Sequence, residues 1–189
     1  MRTLGVIVIG GLGRSLLGVR ELVAPSVRGL PLVERGLGVL ASMGIEERLI
    51  LLPSGMLDKF IVPTGACAIA FDDGESPRHR LHGLLSLGEG DEIVFLLVSD
   101  GIAATPSRLR ALLKAVGEGA ELAYLPASFD GRSDGGAPSA LAFKGATLKR
   151  ALRSWGNGSP GALVDWAKAS DLDVRVYDDG TEALSRTAQ

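Results

Sequence analysis

The chain has 189 residues, and 20 Lys and Arg against 22 Asp and Glu leave a formal net charge of −2, so no basic surplus drives binding to nucleic acid. With 46% apolar and 22% charged residues the composition is that of a globular protein able to bury its own core without a disulfide or metal staple. The single cysteine, Cys67, excludes an intramolecular disulfide and a multi-cysteine zinc site; it fits a reducing compartment, and the cytoplasm is the expected location.

The first element is Leu4-Gly-Val-Ile-Val-Ile9, continuously apolar, rich in β-branched residues and stopped by Gly10 and Gly11. It is far short of the ~20 residues that span a bilayer and reads as a strand covered on both faces of a parallel sheet. Similar runs at 48–52, 66–71 and 93–98, with weaker ones at 122–125 and 172–177, predict further strands. Between them lie segments of helical period. The clearest has Leu109, Leu112, Leu113 and Val116 on one face after Thr105-Pro106, an N-cap followed by proline at the first helical position. Helices are also expected over 32–43, 78–87, 146–153 and 160–169. Strands alternating with helices predict one α/β domain over the whole chain, three layers (α/β/α) around an open, mostly parallel sheet. The polar, glycine-rich stretch 129–138, with Arg132 in it, is expected to be a mobile loop over a cleft.

The segments after the strands carry the chemistry. Gly10-Gly-Leu-Gly-Arg-Ser-Leu-Leu-Gly18 follows the first strand, and glycines there let backbone N–H groups approach phosphate oxygens without interference from a Cβ. The segment is neither a P-loop nor a dinucleotide fingerprint, whose last glycine is replaced by Leu16. Arg14 and Arg20 bring guanidinium groups suited to triphosphate oxygens. Asp100 ends the apolar run 93–98 at the place where open α/β sheets bind ligands, and a carboxylate there suits Mg²⁺ held against substrate phosphates. The turn pairs Asp72-Asp73 and Asp178-Asp179 offer further carboxylates. His79 and His82 lack a third zinc ligand nearby, and Ser15, Ser99 and Ser159 lack the context of a hydrolase nucleophile.

Taken in order, these segments resemble the nucleotidyltransferases of the molybdenum cofactor guanylyltransferase type. Gly10-Gly11 opens the loop, Leu17-Gly18 takes the place of the family's Met-Gly, and Arg20 stands where a lysine is expected. Arg28-Gly-Leu-Pro-Leu32 is similar to a Gly-x-Pro-Leu segment, and Ser76-Pro77 with His82-Gly-Leu84 to the ends of a Gly-Pro-Leu-x-Gly-Leu run. Val98-Ser-Asp-Gly-Ile-Ala-Ala-Thr-Pro106 matches the strand that ends in aspartate before a Pro-led helix, and Pro138-Ser-Ala-Leu-Ala-Phe143 resembles the later Pro-Leu-x-Ala-Leu strand. The departures fall on the chemistry: Asp-Lys has become Val19-Arg20, the loop carries an inserted residue, and the C-terminal Asn-Thr-Pro segment is reduced to Asp179-Gly-Thr-Glu-Ala-Leu184.

The resemblance implies a Rossmann-like nucleotidyltransferase fold and transfer of a nucleoside monophosphate, GMP from GTP, onto a phosphorylated acceptor such as molybdopterin, without nucleic acid or membrane. It implies nucleotide contacts from Gly10, Gly11, Leu12, Gly13, Gly18, Pro77 and Gly83, triphosphate contacts from Arg14 and Arg20, and Mg²⁺ on Asp100 with Asp179 as a second ligand. The phospholactate guanylyltransferases are a near alternative, through Gly135-Gly-Ala-Pro138 and Gly156-Asn-Gly-Ser159, and cobinamide-phosphate guanylyltransferases share the plan. A nucleotide-binding or regulatory protein that kept the fold and lost turnover is the alternative from a different class.

Overall fold

The computed structural model of the chain describes residues 2–8, 32–55, 61–71, 93–99, 105–126, 138–154, 160–178 and 181–183. In chain order the elements are β1 (Arg2–Val8), α1 (Leu32–Ser42), β2 (Glu47–Pro53), β3 (Cys67–Phe71), β4 (Ile93–Ser99), α2 (Pro106–Gly117) and β5 (Leu122–Leu125). They continue with β6 (Ala140–Lys144), α3 (Gly145–Ser154), α4 (Pro160–Ala169), β7 (Val174–Asp178) and β8 (Thr181–Ala183). The expected helix at 78–87 lies outside the described residues.

The strands form one sheet in the order β3-β2-β1-β4-β6-β5-β7-β8. β1, β2, β3 and β4 are mutually parallel, β6 runs antiparallel to both β4 and β5, β7 is parallel to β5, and β8 turns back along β7. All strands except β6 and β8 therefore point the same way, as the alternation of strands and helices predicts. The position of β6 and the existence of β8 were not signalled by hydrophobic periodicity. β6 reads as one more apolar run, and its reversed direction comes from the β5–β6 connection, which returns the chain at the edge where it left.

Alternate residues of β1, β2, β5 and β6 feed two separate cores, as period-2 side-chain geometry requires. Val6, Val8, Leu49, Leu51, Leu141 and Phe143 pack with Leu148 and Ala151 of α3 and Leu163, Val164 and Ala167 of α4. On the opposite face Ile7, Ile50, Leu52, Leu96 and Ala142 pack with Val33, Leu37 and Leu40 of α1 and Leu109, Leu112 and Val116 of α2. Among the described residues, two helices on each face give the three layers.

The capping reading of Thr105 holds. Its backbone is extended (φ −84°, ψ 154°), its hydroxyl accepts from the Arg108 N–H at 3.4 Å, and Pro106 opens α2. Three helices close with the same two hydrogen bonds. Ile45 and Gly44 donate to Leu40 and Ala41, Ala120 and Gly119 to Ala115 and Val116, and Leu172 and Asp171 to Ala167 and Lys168. This is the Schellman arrangement, which requires the left-handed conformation at the residue past the helix: Gly44 (φ 77°), Gly119 (φ 115°) and Asp171 (φ 55°).

Glycine also sets how closely α1 lies on β1. A Cβ at Gly5 would stand 2.8 Å from Leu40 Cδ1, and one at Gly36 would stand 2.9 Å from Ile7 Cδ1. Each glycine makes room for the other element's side chain, so helix and strand approach through two reciprocal notches.

Candidate functional site

The site is defined by where the strands end. β1 and β4 lie side by side in register from Arg2 opposite Ile93 to Val8 opposite Ser99. From β1 the chain passes first to β2 and β3 on one side, then returns to β4 on the other. The strand order thus reverses between β1 and β4, and in open α/β sheets the crevice outside the carboxyl ends at such a point receives the ligand.

Several features converge on this edge. α2 feeds β5, which starts at the opposite edge, so α2 runs away from the crevice and its Thr105 cap, with the positive end of the helix dipole, belongs to the ligand edge. β6, being antiparallel, starts beside the end of β4, with Ala140 opposite Val98. Ser139 precedes it, and its N–H donates to the Leu125 carbonyl at 2.9 Å.

The residues that sequence reasoning placed in the site, Gly10, Gly11, Leu12, Gly13, Arg14, Gly18, Arg20, Pro77, Gly83, Asp100 and Asp179, lie outside the described residues, as do the Asp72-Asp73 pair, His79 and His82. The described strands fix where two of these segments depart. Asp100 follows Ser99 by one peptide unit, about 3.8 Å between Cα atoms, and Gly10 follows Val8 by two. β7, which precedes Asp179, stands three strand positions from β4, about 14 Å at the usual spacing. A second-ligand role for Asp179 therefore asks the chain to reach back across β5 and β6.

Among the described residues no three His, Cys, Asp or Glu side chains gather as a metal site.

Among the described residues, the most developed charge network lies at the opposite edge. Glu121, just before β5, accepts from Thr147 Oγ1 at 2.6 Å and Arg150 at 2.6 Å, with Lys144 Nζ at 3.6 Å. Burial opposes its ionisation, but the Thr147 hydrogen bond and the Lys144 and Arg150 charges outweigh it and hold the carboxyl below its ordinary range. Thr147 is fully buried and also donates to the Glu121 carbonyl at 3.3 Å. This network fastens α3 to β5 and is remote from the crevice.

No protein-family model matches the chain, and no curated protein matches it in sequence. Solved structures match its fold. A Bacillus anthracis protein assigned as a glucose-1-phosphate thymidylyltransferase, in complex with sucrose, is 10% identical with a TM-score of 0.67, over 93% of this chain and 87% of that one. The Mycobacterium tuberculosis protein Rv0371c, in complex with manganese, is 15% identical with a TM-score of 0.66, over 93% and 87%. A CMP:2-keto-3-deoxy-manno-octonic acid synthetase complexed with CTP is 15% identical with a TM-score of 0.62, over 94% and 89%. At these identities the likeness establishes the fold, the Rossmann-like α/β architecture of nucleotidyltransferases. Among the described residues no helix is long and apolar enough to cross a membrane.

Proposed function

We propose that this chain is a divalent-metal-dependent nucleotidyltransferase that transfers a nucleoside monophosphate, GMP from GTP, to a phosphorylated cofactor precursor such as molybdopterin. An acceptor phosphate oxygen attacks the α-phosphorus, the bond from that phosphorus to the bridging oxygen of the β-phosphate breaks, and pyrophosphate leaves. Such a displacement asks the protein for positioning and charge neutralisation and for little covalent chemistry.

The observation that carries this reading is the pairing of Val8 with Ser99, which brings the chain leading into the glycine-rich segment beside the chain leading into Asp100. In this reading the glycine-rich segment 10–18, with Arg14 and Arg20, cradles the triphosphate, and the stretch around Pro77 and Gly83 meets the base or ribose. Asp100 holds Mg²⁺ or Mn²⁺, whose charge offsets that of the phosphates. The structural neighbours complexed with manganese and with CTP support a divalent cation and a nucleoside triphosphate as ligands. The choice of GTP and of molybdopterin rests on the resemblance of the motifs.

The test is a thermal-shift panel of nucleoside triphosphates with and without Mg²⁺, followed by pyrophosphate release. A ligand at 100 times its dissociation constant adds about 2.7 kcal/mol, well within reach of a melting curve. Stabilisation by GTP with Mg²⁺, and pyrophosphate release on adding molybdopterin, phospholactate or cobinamide phosphate, would bear the reading out and identify the acceptor. If no nucleotide stabilises the chain, the reading is wrong. The second reading, a nucleotide-binding protein without turnover, is favoured by Val19-Arg20 in place of Asp-Lys and gives binding with no pyrophosphate release from any acceptor.

A further inference from the structure

Among the described residues the sheet ends in β3 on one side and in β8 on the other. A strand in that place presents N–H and C=O groups that no ladder uses, and proteins blunt such edges by shortness, charge, proline or a bulge. β8 is blunted by its length of three residues. β3 has none of these devices. Ala66-Cys-Ala-Ile-Ala-Phe71 holds no charge and no proline, and it pairs with β2 in unbroken register from Leu49 opposite Cys67 to Pro53 opposite Phe71. Its outer side is a template for one more extended strand.

The approach to β3 adds to that edge. The Ala66 N–H donates to the Pro63 carbonyl at 3.2 Å, closing a turn that needs the left-handed Gly65 (φ 81°). Arg48 of β2 donates from Nε to the Gly65 carbonyl at 3.1 Å, so this neighbouring cation is drawn to the turn, ahead of the strand, and leaves β3 uncharged. Ile61 and Val62 lead into the turn and are 90% and 37% exposed, the large hydrophobic side chains that the described residues leave in solvent. Cys67 is exposed as well, and Ile69 is only partly buried against its core.

The strand that fits this edge is a second β3. Two copies related by a two-fold axis beside Ile69 pair antiparallel, which makes the contact isologous and closed. Ile69 then faces Ile69 of the second copy, Ala68 faces its Ala70, and Cys67 faces its Phe71. Alanine stands on either side of Ile69, so small residues meet small ones, and an edge without charge doubles without repulsion. Main-chain pairing over the five residues of β3 is a small contact beside the ~1,200 Å² of a standard stable interface, so a reversible dimer is expected.

We propose that this chain forms a two-fold dimer by antiparallel pairing of β3 with β3 of a second copy, joining the two sheets into one with Ile61 and Val62 at the margins of the contact. The dimer is independent of the nucleotidyltransferase reading.

Sedimentation of the full chain over a range of concentration should show the mass rise from that of one chain to that of two. Cys67, the single cysteine of the sequence, supplies a native probe of the register. In the dimer the two Cys67 Cα atoms are offset along the strands by the interval from Cys67 to Phe71 and stand about 14 Å apart. A bis-maleimide spacer of that reach should therefore link parent chains into a covalent dimer. Ile69→Lys sets like charges directly opposite each other and should raise the dimer dissociation constant at least about tenfold. Ile69→Glu should do the same, and mixing the two variants should restore a dimer containing one of each. A parent chain that stays monomeric overturns the proposal, and so does a dimer that the spacer does not link. Undiminished dimerisation of folded Ile69→Lys, or a mixture of the two variants that stays monomeric, overturns it equally. If the Ile69 variants melt far below the parent chain, the crosslink in the parent chain decides alone.

Discussion

Val8 and Ser99 are the last registered pair of two parallel strands at the point where the strand order reverses, so the chain leaves these two strands at adjacent positions on one edge of the sheet. The residue after Ser99 is Asp100. Asp100→Asn keeps size and hydrogen-bonding capacity at a strand end, so the fold should melt within about 0.5 kcal/mol of the parent chain. The neutral amide is a poor partner for a hard dication, and Mg²⁺-dependent stabilisation by nucleotide should disappear. Thermal shifts with nucleotide, with and without Mg²⁺, decide it: a variant that keeps the full metal-dependent shift removes Asp100 from the metal site.

Arg20 stands where the resembled family has a lysine. A guanidinium retains the charge but offers a planar fork in place of a compact ammonium, so ground-state phosphate binding survives better than transition-state geometry. Nucleotide binding with slow turnover is the expected behaviour. Arg20→Lys should leave the nucleotide dissociation constant within about threefold and raise pyrophosphate release by about tenfold, roughly 1.4 kcal/mol of barrier. Unchanged turnover in a variant that binds normally would show that the arginine is not what slows the reaction.

Gly5 and Leu40 set the distance between α1 and β1. Because a Cβ at Gly5 would stand 2.8 Å from Leu40 Cδ1 and 3.2 Å from Ile45 Cγ2, and Leu40 is fully buried, Gly5→Val has to displace the helix or distort the core. Overpacking of this kind costs about 1–3 kcal/mol. Urea unfolding measures it, and a second substitution, Leu40→Ala, should make the cost of Gly5→Val smaller, since the two residues share the same space. Additive costs in the double variant would show that the notch is not tight.

The architecture was legible because burial is periodic. Continuous apolar runs such as Leu49 to Leu52 lie between two helical layers, and the stripe Leu109, Leu112 and Val116 faces one of them. The 93–98 run was legible as a strand for the same reason, and β4 spans Ile93–Ser99. What periodicity could not convey is direction and neighbour. β6 is as apolar as β4, and nothing in its period says that it runs backwards between β4 and β5, with its start beside the end of β5. The Ser139 hydrogen bond to Leu125 was equally hidden, although Pro126 and Pro138, on the two sides of the connection, are the signal that another residue must supply the bonding there. β8, three residues long, is too short for any period to register.

Asp171 occupies the position that Gly44 and Gly119 fill at the ends of α1 and α2. The left-handed conformation costs an L-residue with a Cβ roughly 1–2 kcal/mol, less for Asp, and glycine escapes that cost while adding freedom to the unfolded chain. The difference leaves Asp171→Gly more stable by about 0.5 kcal/mol, and Asp171→Val less stable by at least about 1 kcal/mol because branching at Cβ disfavours positive φ. Chemical denaturation of the two variants tests the ordering. Destabilisation by glycine would mean that the Asp171 side chain makes a compensating contact.

Glu121 gives the fold an acid-sensitive clasp. Its folded carboxyl titrates below the ordinary value of 4.5, because Thr147, Lys144 and Arg150 favour the ionised form more than burial disfavours it. A depressed carboxylate contributes stability that is fully present above the unfolded value and lost as pH falls through the folded one. Glu121→Gln preserves an acceptor for Thr147 but removes the charge that Arg150 approaches at 2.6 Å, and should cost about 1–2 kcal/mol at neutral pH, the usual worth of a hydrogen bond to a charged group less some solvent screening. Below the unfolded value of about 4.5 the parent begins to lose this contribution, and it is gone once the pH has fallen through the lower folded value, so the stabilities of parent and variant should converge as the pH is lowered further. Urea unfolding of both chains at pH 7, 5, 4 and 3 follows the difference, and using the difference cancels the contributions of other paired carboxylates such as Glu47 on Arg2 and Asp173 on Arg175. A gap that stays constant across this range would mean that Glu121 stabilises the fold by shape and neutral hydrogen bonding alone, with no contribution from its charge.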